Sequence, residues 1–243
     1  SDLIDWNVTA RMGRPYIKIF EEERELQIFL IVDSSRSMQL ENSSDRRTKY
    51  AAAAETAALV AIAAELNACP AGAVFFDGAI HFSCEPSLGK ENTMQLLNHL
   101  DRLPDSPTVG SVLPNAITAA AKVLRKRSLV FILSDFRSGG WEKPLISLAQ
   151  KNDVIAINLH DASDEELPSL GTVKFMDAES GLKMALPSSS PAFKKEWRNY
   201  NEMNQNRWQD FCIKHGAMPV ILDTKTEPVQ VLNQIFSRKA RLR

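Results

Sequence analysis

Cysteine is scarce in this 243-residue chain and poorly spaced for chemistry. The three thiols, Cys69, Cys84 and Cys212, are odd in number, far apart and include no C-x-x-C pair. That argues against a disulfide framework or a thiolate zinc site, and a reducing, cytoplasmic location is expected. The four histidines, at 81, 99, 160 and 215, form no H-x-x-x-H pair and read as surface or cap residues. Long hydrophobic runs are also missing. The longest, Ala57 to Ala64, is far short of the ~20 apolar residues that span a bilayer. No signal peptide opens the chain. It starts SDLIDW, close to the first predicted strand, as expected of a segment cut from a longer protein. Charge of one sign is absent too: 29 Lys and Arg face 30 Asp and Glu, for a net −1. No nucleic-acid or anionic-membrane partner is therefore expected, and the basic end, Arg238 to Arg243, reads as a solvated helix terminus. No G-x-G-x-x-G follows a predicted strand, and neither a Walker A sequence nor G-x-S-x-G occurs. Nucleotide binding and an α/β-hydrolase triad are thus unsupported.

What is present is an alternation of apolar strands and helices. Residues 26–33 (LQIFLIVD), 128–135 (SLVFILSD) and 153–159 (DVIAINL) are short, apolar and β-branched, the mark of buried parallel strands. Residues 72–76 and 79–83 flank Asp77-Gly78, a hairpin signal, and 218–222 reads as a last short strand. Residues 16–22 read as an edge strand, with the charge run Glu21 to Glu25 as its solvated margin. Helices are expected over 49–66, 91–103, 110–127, 141–150 and 227–236. Ser188-Ser189-Ser190-Pro191 supplies cap residues and a first-turn proline for a long helix. Its stripe of Phe193, Trp197, Tyr200, Trp208 and Phe211 is expected to face the core. Residues 171–186 read as a hairpin elaboration. The economical architecture is one α/β domain over 1–243: a doubly wound, mostly parallel sheet with helices on both faces.

Open α/β sheets build sites at the carboxyl ends of their strands. Two of the central strands here end in Asp33 and Asp135. Ser34, Ser35 and Ser37 follow the first, in Asp-x-Ser-x-Ser spacing. Two nearby carboxylates repel unless a positive charge lies between them. Carboxylate and hydroxyl oxygens without His or Cys suit a hard divalent cation, Mg²⁺ or Mn²⁺. A third loop is expected to add a hydroxyl. Thr108 fits, as ligand or as cap of the next helix, with Ser106 and Ser111 as weaker candidates. The bland alternative is a polar turn whose Ser and Asp side chains satisfy local backbone groups.

VDSSRSM resembles the metal-ion-dependent adhesion site of von Willebrand factor A (vWA) domains. In that family a Thr on a second loop and an Asp ending a later strand complete the site, and Thr108 and Asp135 occupy those places in order. The flanks are similar to the bacterial DUF58 family over IDWNVTARMGRPYIKIFEEERELQIFLIVDSSRSM, FILSDFRSGGWEKPLISLAQKNDVIAINLHD and ELPSLGTVKFMDAESG. The resemblance implies a vWA-like, Rossmann-like fold and a metal set of Asp33, Ser35, Ser37, Thr108 and Asp135. It also implies a partner that is a MoxR-type AAA+ ATPase or a client of that ATPase. Family members usually carry further N-terminal sequence, sometimes with membrane segments.

Three functional classes follow. The first is a non-enzymatic interaction module, in which a partner's Asp or Glu completes the cation's shell. The second is a Mg²⁺-dependent phosphohydrolase on a related sheet. Such enzymes need a second Asp two residues after the first, where this chain has Ser35. The third, nucleotide binding, lacks its motifs. In the IDWNVTAR stretch, Asp5, Trp6 and Arg11 read as a buried anchor for the first segment rather than a partner-facing motif. Trp141 reads either as a cover on the site rim or as packing beneath it.

Overall fold

The computed structural model describes residues 26–40, 47–103, 110–161, 164, 172–176, 183–187 and 189–241. The expected edge strand at 16–22, the Asp5–Trp6–Arg11 stretch and Thr108 with Ser106 lie outside the described residues.

Eight strands and seven helices are described. They are β1 (Gln27–Asp33), α1 (Arg36–Gln39), α2 (Lys49–Leu66), β2 (Ala71–Phe76), β3 (Ile80–Ser87), α3 (Lys90–Asp101) and α4 (Leu113–Val123). After these come β4 (Ser128–Ser134), α5 (Glu142–Ala149), β5 (Asp153–His160), β6 (Thr172–Met176) and β7 (Lys183–Pro187). The chain continues with α6 (Pro191–Lys214), β8 (Ala217–Asp223) and α7 (Pro228–Arg241). Six strands form one sheet in the order β3-β2-β1-β4-β5-β8, all parallel except the antiparallel edge strand β3. β6 and β7 pair antiparallel as a separate two-stranded sheet, the expected hairpin.

Strand alternation sends β1 side chains to opposite faces, and both are covered. Ile28, Leu30 and Val32 pack with α2, α3 and α7, where Val60, Leu96 and Leu232 are buried. Phe29 and Ile31 pack with α4, α5 and α6, where Ile117, Leu145 and Trp208 are buried. This is the doubly wound arrangement expected from the sequence. The Thr48 hydroxyl caps α2 by accepting from the Ala51 N–H at 3.0 Å. The sheet-facing side of α2 is almost all alanine (Ala52, Ala53, Ala57, Ala61, Ala64), which lets the helix lie close to the strands. At the edge, a Cβ on Gly72 would sit 2.7 Å from Pro86 N and 2.9 Å from Cys84 O, so only glycine fits under β3. Pro86 is tolerated because β3 is an edge strand that need not donate outward.

Two expectations need correction. The helix predicted over 110–127 spans only Leu113–Val123. Pro114 has no N–H to bond a carbonyl four residues earlier, so it belongs in a first turn and not inside a helix begun at Gly110. The second concerns the aromatic stripe of α6. Trp208 is buried at 5 % exposure, but Tyr200 is 62 % exposed and Phe193, Trp197 and Phe211 are only half-buried. The last two turns of α6 join the core, while its first half carries the stripe along the surface.

Candidate metal centre

β1 and β4 are neighbours in register, Val32 beside Leu133, so their carboxyl ends bring Asp33 and Asp135 to the same rim. Asp33 is buried. Its Oδ1 accepts from the Ser35 N–H at 2.9 Å, and its Oδ2 accepts from the Ser134 hydroxyl at 2.6 Å. The Ser111 hydroxyl lies 3.4 Å from the same Oδ2. Ser35 and Ser37 are also buried, with their hydroxyls 3.2 Å apart. Ser34 faces the other way, donating to the Phe76 carbonyl at 2.9 Å, with His81 Nε2 at 3.0 Å. Burial, and then the negative charge of Asp135, pushes the Asp33 carboxyl up to about 7, against the pull of its Ser134 and Ser35 hydrogen bonds.

Asp135 is held differently. Its Oδ1 accepts from the Arg137 N–H at 3.3 Å, but its Oδ2 is buried with no hydrogen-bond partner. Lys49 Nζ at 3.9 Å and Arg137 Nε at 3.6 Å approach that oxygen without bonding it. The next residue, Phe136, takes a left-handed φ of 53°, a strained choice for a bulky residue. The strain is held in place on both sides of the peptide. The Phe136 N–H donates to Ser134 Oγ at 3.1 Å, and the ring packs 5.4 Å from Trp141 and 5.2 Å from Trp208. Trp141 is buried against Phe136 and also borders the cleft that opens from Asp135.

Beside Asp135 lies a buried ionic network that sequence reasoning did not anticipate. Lys49, 2 % exposed, opens α2 and places Nζ 2.9 Å from Asp164 Oδ2. Arg137 pairs with the other Asp164 oxygen. Asp164 also accepts from the Asp161 N–H at 3.0 Å, and its carbonyl accepts from Asn201 of α6 at 2.6 Å. Burial alone would raise the Asp164 carboxyl, but the Lys49 and Arg137 cations outweigh it and hold it below the usual range. A cation at a helix N-terminus opposes the helix dipole. A lysine at the first position of an alanine-rich helix was the available signal.

The structure brings Asp33, Ser35, Ser37 and Asp135 to one place, with Ser111 also within reach of Asp33. Thr108 is outside the described residues. Among the described residues, no three His, Cys, Asp or Glu side chains converge as ligands. The donor set is two carboxylates and several hydroxyls, the oxygen chemistry of Mg²⁺ or Mn²⁺. The orphaned Asp135 oxygen and the raised Asp33 carboxyl are the two features a divalent cation would relieve, so the residues fit such an ion.

From Asp135 a cleft of about 1030 Å³ runs between the ends of β4 and β5 and one side of α6. Its wall includes Phe136, Trp141, Trp208 and Phe211.

Comparison with known proteins assigns the family. The model for "Protein of unknown function DUF58" matches residues 2–207. The chain belongs to the DUF58 family. It is 32 % identical over 181 residues to the uncharacterized proteins Rv1480 of Mycobacterium tuberculosis and Mb1516 of Mycobacterium bovis. Those matches cover 74 % of this chain and 56 % of each relative, so this DUF58 chain spans little more than half the relatives' length. Among solved structures it resembles the conserved hypothetical protein BatB of Bacteroides thetaiotaomicron (TM-score 0.56, 14 % identity, 89 % of this chain and 99 % of that one). It also resembles an aerotolerance-related membrane protein of Bacteroides fragilis (TM-score 0.53, 14 % identity, 87 % and 99 %). At such identity the likeness concerns fold alone, and that fold is vWA-like. Among the described residues, no helix of this DUF58 chain is long and apolar enough to cross a membrane.

Proposed function

We propose that this DUF58 chain is a non-enzymatic, metal-dependent protein-interaction module. A Mg²⁺ or Mn²⁺ ion would be held by Asp33, Ser35, Ser37 and Asp135, with Thr108 or Ser111 as the third-loop hydroxyl. The ion supplies an open coordination position for an Asp or Glu of the partner. By family resemblance, that partner is a MoxR-type AAA+ ATPase or a client it remodels, which makes this chain an adaptor or chaperone-like cofactor. The observation that carries the reading is Asp135 Oδ2, buried without a hydrogen bond on the rim it shares with Asp33. Lys49 and Arg137 approach that oxygen at 3.9 and 3.6 Å without bonding it, so a cation shared with Asp33 would supply the direct contact they do not and relieve the repulsion between the two acids. A phosphohydrolase draws no comparable support, because position 35 offers a hydroxyl where that chemistry needs a second carboxylate.

The test is thermal unfolding of chelator-treated protein titrated with Mg²⁺ and Mn²⁺, with Asp33→Ala alongside. Ligand at ~100-fold over its dissociation constant adds about 2.7 kcal/mol, which is roughly 5–10 °C for a domain of this size. A saturable shift in the wild type that is absent in Asp33→Ala supports the reading. Equal shifts in both proteins would overturn it.

A further inference from the structure

The end of the sheet opposite the metal rim, where the parallel strands begin, carries a local excess of positive charge that the balanced total conceals. Four of the six residues from Lys122 to Arg127 are cations, and none is an acid. Lys122 lies in the last turn of α4, where a cation complements the helix dipole. Arg125, Lys126 and Arg127 come after the helix has ended, so that complement does not account for them. They meet Lys151, which follows α5, around a cavity of about 110 Å³. These four cations are half of its eight lining residues, and again none is an acid. Nearby carboxylates neutralise only part of the charge. Asp153 pairs with Arg127 at 2.7 Å, but Glu85 stands 4.0 Å from Arg125 with both side chains mostly exposed, and such surface pairs contribute little. Like charges gathered round one small cavity repel, and an anion between them relieves that cost.

The frame of this cavity is fixed, while its charges are open to solvent. The buried Asn152 side chain accepts from the Ser128 N–H at 3.0 Å and donates to the Leu148 carbonyl at 3.1 Å. That amide ties the segment bearing three of the cations to the loop bearing the fourth. The Ser128 hydroxyl donates to the Lys126 carbonyl at 2.9 Å, which pins the middle of the three. The Arg125 and Arg127 side chains are 85 and 61 % exposed, so a solute reaches them freely. Ser147, also exposed, adds a hydroxyl that can donate. The space is that of about four waters, far below the ~300 Å³ at which pockets for organic ligands begin, and it suits a compact anion. Guanidinium forks beside ammonium point charges are the donors that hold a tetrahedral phosphate.

We propose that this cavity is a phosphate-group site, with Arg125, Lys126, Arg127 and Lys151 as its cationic donors. The ligand class is a phosphate ester or anhydride, either soluble or carried by a lipid headgroup. Leu66, which ends α2, and Leu88, which follows β3, emerge at the same end of the sheet, 81 and 58 % exposed, so a bilayer is one of the two probes. The site stands apart from the metal reading and does not depend on it.

The experiment has two arms, both in chelator so that no cation bridges a probe to Asp33 or Asp135. In one, the isotope-labelled 243-residue chain is titrated with inorganic pyrophosphate and followed by amide NMR. In the other, it is sedimented with phosphatidylcholine vesicles with and without phosphatidic acid. Wild type is compared with Lys151→Ala and with Lys195→Ala, which removes one exposed charge from the first turns of α6. The expected result is saturable shifts in the amides of 124–127 and 147–152, or retention by the phosphatidic acid vesicles only. Either should weaken at least roughly tenfold in Lys151→Ala, the scale of one hydrogen bond to a charged group, and stay unchanged in Lys195→Ala. Pyrophosphate binding alone points to soluble phosphate compounds, and vesicle retention, with or without it, to a lipid headgroup. Failure of both probes to bind would overturn the site. So would binding that Lys151→Ala leaves intact, or that both variants weaken equally, since it would then belong to surface charge as a whole.

Discussion

Ser134 donates its hydroxyl to Asp33 Oδ2 at 2.6 Å from a position 101 residues away, while its Oγ accepts the N–H of Phe136. One serine thus ties the acid at the end of β1 to the strained turn that aims Asp135. Ser134→Ala should remove a stabilising partner of the Asp33 anion and release the Phe136 N–H. The cost expected is about 1–3 kcal/mol, read from urea unfolding of the metal-free protein.

The raised Asp33 carboxyl has a signed consequence. Its folded value, about 7, exceeds the ordinary 3.8, so the folded chain holds a proton that the unfolded chain releases. The associated stability is fully present below about 4 and is lost as pH rises through about 7. In chelator, the urea midpoint should therefore fall across that window, at no more than about 1.4 kcal/mol per pH unit. Asp33→Asn should lose this slope. Asp164 works in the opposite sense: its depressed carboxyl contributes above the ordinary value, and that contribution is lost only in stronger acid.

Lys49 and Asp164 form a buried pair; removing Lys49 leaves Asp164 with Arg137 as its remaining cation, and removing Asp164 leaves Lys49 with the longer contact to Asp135. Lys49→Met should cost about 3–5 kcal/mol. Lys49→Met with Asp164→Asn should cost less than the sum of the two single changes, since the double variant removes both members of their shared contact. A double-mutant cycle in urea checks both statements. Additive costs would mean that the 2.9 Å contact contributes nothing specific.

At the sheet edge, Gly72→Ala drives a methyl into the backbone of Pro86 and Cys84, which cannot rotate away. Overpacking of this kind costs about 1–3 kcal/mol. Thermal unfolding should show the loss, and Mg²⁺ titration of the folded variant should match wild type, because Gly72 lies at the opposite end of β2 from the metal rim.

Along α6 the corrected burial divides the aromatic stripe. Tyr200→Ala should change stability by no more than about 0.5 kcal/mol, whereas Trp208→Ala should cost about 3–5 kcal/mol. Comparable losses at both positions would restore the continuous core face expected from spacing.

That stripe also shows where sequence reasoning stops. Helical spacing says that Phe193, Trp197, Tyr200, Trp208 and Phe211 share a side; it does not say whether anything covers that side. The strands were legible because they are buried on both faces, which leaves apolar runs such as IFLIV and LVFIL with no polar alternation to confuse them. Asp33 and Asp135 stood out because each interrupts such a run where an α/β sheet opens. Lys49 and Asp164 did not. A lysine opening a helix looks solvated in one dimension, and only the fold brings it to an acid 115 residues further on. Ser134 was overshadowed by Asp135, although its own hydrogen bond helps hold the site together. Apolar periodicity starts α4 too early, because it does not register that Pro114 belongs in a first turn.

The order β3-β2-β1-β4-β5-β8 places β1 between a strand that follows it closely and one that arrives much later in the chain. Parallel pairing of this kind needs long crossovers, and such non-local contacts form slowly. Asp33 and Asp135 therefore meet only when β4 docks on β1. Their repulsion is absent from the earlier stages of folding, as is the attraction of any cation between them. A bound ion could act only once the two strands are paired. The site would then work as a latch on the finished sheet rather than a seed for its assembly.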